Sequence, residues 1–358
     1  MKICFMGDGN SVHIKRWIEF FKGKGHQVSL ITFSDVEYSD IQVCKIGSVS
    51  IKEKGGNWKY LLHNKEIKNA LRIINPDIVN AHYITSYGFM SALSGFKPLV
   101  LSAWGSDVLV TAKRNFIYKN ITKYALNKAE LVTAESHFLT EEINKLDKVK
   151  VLTVPMGVDK KVANYERKSQ GVDGEVSILS LRALVPNSNI DVIVKGVKLF
   201  KDRNQGKKVK LIITNDGSQK DYIRDLANRL GLEEEVELRG FVSREELIDL
   251  YLSTDIHITV PTSDSTSVTL LEAMLCGTVN IVSNIPANRE WIVDGENGVI
   301  VPETSEIELA KGIERALEER HLKVDGAKIN RDLIMKKAIW EDNMARVEEE
   351  YLNIIKTR

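Results

Sequence analysis

Short apolar runs alternate with longer amphipathic stretches along the whole chain. In the first half, residues 2–7, 27–33, 77–81, 98–103, 131–134 and 149–154 are largely apolar and have strand length. Between most of them, apolar positions recur at helical spacing, as in 14–24, where Gly25 supplies a stop. A second series follows, with strands at 176–181, 209–214, 236–239, 256–260, 279–283 and 298–301. Its helices fall at 190–203, 222–230, 245–252 and 305–319, the third announced by the capping-box pair Ser243 and Glu246. Residues 335–356, "MKKAIWEDNMARVEEEYLNIIK", read as one last amphipathic helix. Strand and helix in alternation predict parallel sheets covered on both faces. The stretch between the two series, "GVDKKVANYERKSQGVDGE", is polar and glycine-punctuated and reads as a linker. The expectation is an α/β protein of two doubly wound, Rossmann-like domains facing across a cleft, with ligands at the carboxyl ends of both sheets.

Composition narrows this picture. A chain of 358 residues is long for one core, which favours two domains. Hydrophobic and charged fractions of 43% and 28% are those of a soluble globular protein, and no apolar run is long enough to span a membrane. "MKICFMGDGN" has too short an apolar run for a secretory leader and reads as a first strand. Cys4, Cys44 and Cys276 are odd in number and unpatterned, as expected of reduced thiols in the cytoplasm. The net charge of +1 hides an asymmetry: residues 1–160 carry 22 Lys and Arg against 15 Asp and Glu, the remainder 28 against 34. Much of the basic surplus lies in "AKRNFIYKNITKYALNK", where Lys113, Arg114, Lys119, Lys123 and Lys128 alternate with Phe116, Tyr118 and Tyr124. That pattern fits a helix with one solvated face, and it also fits a surface lying against an anionic membrane or a phosphate-bearing acceptor. No nucleic-acid-binding motif accompanies the charge, so nucleic acid is not expected as a partner.

Two loops carry chemistry. "GDGNSVH" follows the first strand and places Gly7 and Gly9 where a backbone can approach a phosphate. It falls short of a full dinucleotide fingerprint, which argues against a nicotinamide oxidoreductase. "SDSTSVTLLEAMLCGTVNIVSN", residues 263–284, reads as a short helix capped by one of Ser265, Thr266 and Ser267 and stopped at Gly277. Glu272 sits on it among Val, Leu, Met, Ala and Cys, with no Lys or Arg in the segment. Such a carboxylate costs several kcal/mol unless it is paired or hydrogen-bonded. Either a nearby backbone or hydroxyl group satisfies it, or a ligand does.

The segments "GHQVSLIT", "PDIVNAHY", "SAWGSDV", "VPMGVD", "LRALVP", "NDGSQKDYIRDLANRLGL", "VELRGFVSREELIDLYLSTDIHITVPTSDSTSVTLLEAMLCG" and "IVDGENGVIVP", in this order, resemble retaining glycosyltransferases of the GT-B fold, specifically family 4. The resemblance runs nearly end to end. It implies an acceptor-binding domain at 1–162, a donor-binding domain at 163–330 and a C-terminal helix, 331–358, crossing back to the first. It implies a nucleotide-diphospho-sugar donor, UDP-linked on frequency, no metal cofactor, and a hydroxyl acceptor on a glycan or lipid-linked glycan, with cytoplasmic or membrane-peripheral placement.

The family's acidic pair, eight positions apart, falls at Asp264 and Glu272, with Asp where Glu is usual. By resemblance Glu272 takes the ribose hydroxyls and Asp264 the donor sugar, while Ser265, Thr266, Ser267 and Val268 face the phosphates or sugar. Arg182 matches the diphosphate-binding Arg, and its usual Lys partner falls at Ser188. Asp216 and Gly217 lie in a matching donor-side loop, and Phe241 and Val242 match the segment that meets the base. In the first domain Gly9 matches the glycine loop. His82 stands in an H-x-H-like segment with Asn80 at its other position, and Trp104 replaces the His of an "HG-x-D" motif that keeps Gly105 and Asp107. His82, with Asp264 and Arg182, is the catalytic expectation; His13, Arg16, His82, Trp104 and Asp107 are the acceptor-side expectation. A nucleotide-sugar epimerase and a non-catalytic nucleotide-sugar-binding protein share this architecture and stay open as alternatives.

Overall fold

The structure is a computed structural model and describes residues 1–47, 58–165, 167 and 174–357. It divides into one compact unit of Met1–Pro155 with Glu341–Arg358 and a second of Met156–Trp340.

The first unit is built on seven strands: β1 (Lys2–Met6), β2 (Gln27–Thr32), β3 (Gln42–Lys45), β4 (Ile78–His82), β5 (Leu99–Ser102), β6 (Leu131–Ala134) and β7 (Val151–Thr153). Their order is β3-β2-β1-β4-β5-β6-β7, every pair parallel. Helices α1 (Val12–Gly23), α2 (Asn64–Ile74), α3 (Phe89–Ser94), α4 (Phe116–Lys128) and α5 (His137–Leu146) form the crossovers. Sandwiched strands have no solvent face, which is why β4, β5 and β6 read as unbroken buried runs. The edge strand β3 gave no sequence signal, since Gln42 and Lys45 are exposed, Val43 and Cys44 only half-buried, and the four carry no apolar run.

The second unit holds β8 (Glu175–Ser180), β9 (Lys208–Thr214), β10 (Val236–Gly240), β11 (Ile256–Thr259), β12 (Val279–Ser283) and β13 (Val299–Val301), ordered β10-β9-β8-β11-β12-β13 and parallel throughout. Its helices are α6 (Ile190–Arg203), α7 (Lys220–Arg229), α8 (Arg244–Ser253), α9 (Val268–Leu275), α10 (Pro286–Arg289), α11 (Glu306–Glu318) and α12 (Ala327–Lys337). Ile178, Ile256 and Ile281 point to one face of this sheet, where α6 and α11 cover them; Leu179 and Val282 point to the other, under α8 and α9.

The C-terminal stretch departs from the sequence reading. One helix was expected over 335–356; instead α12 ends at Lys337 and α13 (Trp340–Lys356) starts after a break. The cause is Val158, which donates its N–H to Ala338 O at 2.8 Å and accepts from Trp340 N–H at 2.9 Å, removing backbone groups a continuous helix would use. This pairing and the burial of Val162 place the start of the expected linker, and residues 331–340, within the second unit. Glu166 and 168–173 of that linker lie outside the described residues. Past the break, α13 packs in the first unit: Tyr351 stacks on Phe21 of α1 at 5.3 Å, and Glu348 meets His26 at 2.6 Å. Among the described residues no helix is long and apolar enough to cross a membrane.

Candidate active site

Strand order reverses in each sheet, between β8 and β11 in the second unit and between β1 and β4 in the first. Helices leave the sheet toward opposite faces at such a point, opening a crevice at the carboxyl ends of the strands.

In the second unit Arg182 follows β8 and the loop 261–267 follows β11. The Arg182 guanidinium meets Asp264 Oδ2 at 2.5 Å and stands 3.4 Å from Ser267 Oγ. Ser267 caps α9, its Oγ accepting the Leu270 N–H, so the positive end of the helix dipole faces the same place. Asn187 and Asn189 hold this loop from the β8 side. Asn187 Nδ2–H donates to Ser263 O at 3.0 Å, and Asn189 Nδ2–H to Val260 O at 2.8 Å. Ser188, between them, is enclosed. Asp216 carries an ion pair with Lys220 at 2.8 Å and accepts the Gly217 N–H at 2.7 Å. Gly217 packs so tightly that a Cβ there would stand 2.4 Å from Leu184 O. Phe241, just after β10, is 79% exposed, and Val242 beside it is half-buried.

Glu272 is 4% exposed, and its partners lie inside the chain. Oε1 is 2.6 Å from Arg244 Nη1, and Oε2 is 3.0 Å from the hydroxyl of buried Tyr251. Arg244 also stands 3.6 Å from Asp159. The carboxylate has no Lys or Arg in its own segment, as the sequence shows, and its cation is delivered by α8 instead. A signal for it existed: Arg244 is the first residue of α8, where the helix dipole disfavours a cation, so an acid close by was to be expected. His257, on β11, is fully buried with Nδ1 3.0 Å from Asn280 Oδ1.

In the first unit Gly9 follows β1, His82 ends β4 and Trp104 follows β5. Gly9 is fitted under Val36, whose Cγ1 would lie 2.4 Å from an added Cβ, and its N–H donates to Thr32 Oγ1 at 3.2 Å. His82 is buried against Trp17 and Phe5, with ring centroids 4.9 and 5.8 Å away. Its Nδ1 accepts the Trp104 indole N–H at 3.1 Å, so the neutral ring carries its proton on Nε2, an atom with no partner. Burial, and secondarily the charge of His13, pushes the His82 pKa down to about 3. His13 lies edge-on to Trp104 at 4.9 Å; burial and then Arg16 lower its pKa too. Tyr83, next after His82, holds φ at 69°, a strained value for a non-glycine residue at a strand end. Asp107 is fully enclosed. Its Oδ2 accepts the Ile84 N–H at 2.8 Å, and its Oδ1 accepts those of Trp104 and Val108 at 3.1 and 3.0 Å. Burial raises its pKa to about 6 against these bonds. Expected on the acceptor side, Asp107 works inside the fold, tying the loops after β4 and β5 together.

Residues 2–136 match the glycosyl transferase 4-like family, and residues 162–332 match the glycosyl transferases group 1. The chain belongs to the GT-B glycosyltransferases of the family 4 type. Among its relatives, an uncharacterised glycosyltransferase of Methanocaldococcus jannaschii is 25% identical over 97% of this chain and 94% of its own. The alpha-monoglucosyldiacylglycerol synthase of Streptococcus pneumoniae is 25% identical over 77% of this chain and 68% of its own. The crystal structure of Anabaena HepE in complex with UDP and glucose has the same fold, with a TM-score of 0.78 at 16% identity over 99% of this chain and 100% of that one.

For a GT-B glycosyltransferase the structure joins Arg182, Asp264 and Ser267 in one cluster, and His13, His82, Trp104 and Asp107 in another. Glu272 is held by Arg244 and Tyr251. Arg244, Tyr251, Asn187 and Asn189 were not read from the sequence.

Proposed function

We propose that this glycosyltransferase is retaining and metal-independent, and moves a sugar from a UDP-sugar to a hydroxyl of a glycan or lipid-linked acceptor. The observation that carries the reading is the convergence of Arg182, Asp264 and the capped start of α9 at the reversal point of the second sheet. In the reaction the bond from the sugar C1 to the diphosphate oxygen breaks, with the electron pair leaving on that oxygen. The acceptor oxygen bonds to C1 on the same face, and its proton passes to the departing phosphate. The barrier lies in the charge developing on the leaving group. Arg182 and the N–H groups opening α9 supply fixed positive charge there, with Asp264 handed from Arg182 to a sugar hydroxyl as the diphosphate arrives. Glu272 takes the ribose diol, Asp216 and Gly217 shape the donor loop, and Phe241 and Val242 lie against the base. His13, Arg16, His82 and Trp104 serve the acceptor side. The crystallised neighbour with UDP and glucose supports a UDP donor, and the lipid-directed name of the pneumococcal relative supports a lipid-linked acceptor.

Calorimetric titration of UDP, GDP and ADP in the presence of a chelator tests the donor reading. UDP binding that weakens at least about tenfold in Glu272→Ala supports it. Equal binding by wild type and variant overturns the Glu272 assignment. Turnover of a UDP-sugar without any acceptor, giving an isomerised sugar, would favour epimerisation instead.

We also propose a cytoplasmic protein that touches the membrane peripherally through the start of α4. Phe116 and Ile117 are 76% and 51% exposed beside Lys113, Arg114 and Lys119. Sedimentation with anionic vesicles that is lost in Phe116→Ser with Ile117→Ser supports this, and sedimentation unchanged by the pair overturns it.

A further inference from the structure

Arg244 has no role in the family resemblance, yet it is the cation that makes a buried Glu272 tenable. It leaves the first turn of α8 three residues after Phe241 and lies between two acids, 2.6 Å from Glu272 Oε1 and 3.6 Å from Asp159 Oδ2. The other carboxylate oxygen, Oε2, is 3.0 Å from the Tyr251 hydroxyl and, as the closer and charged acceptor, takes its one proton in preference to the Thr269 carbonyl 3.2 Å away. Tyr251 is fully buried and Glu272 nearly so, whereas the Arg244 side chain is 32% exposed. The carboxylate is therefore gripped at both oxygens by groups on α8, and its rotation about the last side-chain bond is fixed. Each carboxylate oxygen has two acceptor lone pairs. One internal donor on each leaves one acceptor site on each, side by side, the arrangement that two adjacent hydroxyl groups require.

We propose that Arg244 is a positioning residue for nucleotide selection: by holding Glu272 in this orientation it sets the preference for a ribose diol over a sugar lacking both hydroxyls. The inference rests on the reading of Glu272 as the ribose acid. Asp159 restrains the guanidinium from its far side, and its position just after the start of the second unit brings the same network to the segment at which the chain enters that unit. A planar guanidinium can meet both acids from one rigid fork, which an ammonium cannot.

The test compares binding of UDP with binding of 2′,3′-dideoxy-UDP to wild type, Glu272→Ala, Arg244→Gln and Arg244→Lys, with circular dichroism as the check on folding. Wild type is expected to prefer UDP at least about tenfold, and Glu272→Ala to lose the preference. Arg244→Gln is expected to lose most of it while binding the dideoxy nucleotide as wild type does, and Arg244→Lys to fall between. A purely structural role would weaken both nucleotides alike and would overturn the proposal, as would tighter UDP binding by Arg244→Gln, which would make Arg244 a competitor for Glu272. If Glu272→Ala keeps the preference, the ribose reading falls and this proposal with it. If Glu272→Ala loses it and the Arg244 variants keep it, the proposal alone falls. Should Arg244→Gln not fold, Arg244→Lys decides: a reduced preference supports the positioning role and an unchanged one overturns it.

Discussion

Consider replacing His82 by Gln and following stability from about pH 7.5 to about pH 4.5. In the folded protein the His82 pKa is pushed down to about 3 from an ordinary 6.5, first by burial and then by His13. A depressed histidine leaves stability intact above its unfolded pKa and removes it as pH falls toward the folded value, because only the unfolded chain takes up the proton. Each pH unit in that window costs about 1.4 kcal/mol per such group, and the full span from 6.5 to about 3 amounts to roughly 5 kcal/mol. His257, pushed down to about 4 mainly by burial, acts in the same direction. Asp107 acts oppositely: raised to about 6 from 3.8, it binds a proton in the folded state first, so stability is gained as pH falls through 6. His257 and Asp107 are common to both proteins and cancel in the difference. The stability of wild type minus that of His82→Gln should therefore fall by about 1.4 kcal/mol for each unit below pH 6. Urea unfolding followed by tryptophan fluorescence reads this directly, since Trp17 and Trp104 both pack on the His82 ring. Nitrogen-15 spectra of the ring supply the second readout and should show a neutral imidazole protonated at Nε2 down to pH 5. Parallel stability curves, or a ring that titrates near 6.5, would refute the reasoning.

Three further outcomes are expected. Asp107→Asn turns one acceptor toward the Ile84 or Trp104 N–H into a donor facing a donor; it should cost roughly 1–3 kcal/mol at pH 7.5 and make the acid loss of stability steeper, both visible by urea unfolding across pH. Gly217→Ala forces a methyl against the Leu184 carbonyl and should destabilise by roughly 1–3 kcal/mol with a lower melting temperature; an unchanged one would mean the loop gives way freely. Phe241→Ala removes a side chain that is 79% exposed, so stability should change by less than about 0.5 kcal/mol while UDP affinity drops several-fold in calorimetry. Equal affinity would take Phe241 out of the nucleotide site.

What the sequence revealed and what it hid have a common cause, the distance over which each feature is specified. A strand buried on both faces declares itself in a short, mostly apolar and β-branched run, so Leu131–Ala134 and Val279–Ser283 were legible from their own composition. The break after Lys337 was not, because it depends on Val158, far away in the chain. Glu272 was legible as an anomaly, a carboxylate where its neighbours are apolar, but the remedy came from Arg244 on another helix and showed only as a cation at the wrong end of a dipole. The three departures from the family pattern become intelligible at the same level. Ser188 is enclosed between two asparagines that clamp the Asp264 loop, a setting that takes a small uncharged side chain. Asp264, one methylene shorter than Glu, is met by Arg182 at that shorter reach. Trp104 is the most instructive. A histidine at that position could donate to His82 or accept from it, and could change roles with pH. An indole N–H only donates. Its bond to Nδ1 therefore commits His82 to one tautomer, with the proton on Nε2, and the substitution trades an adaptable pair of imidazoles for a fixed orientation.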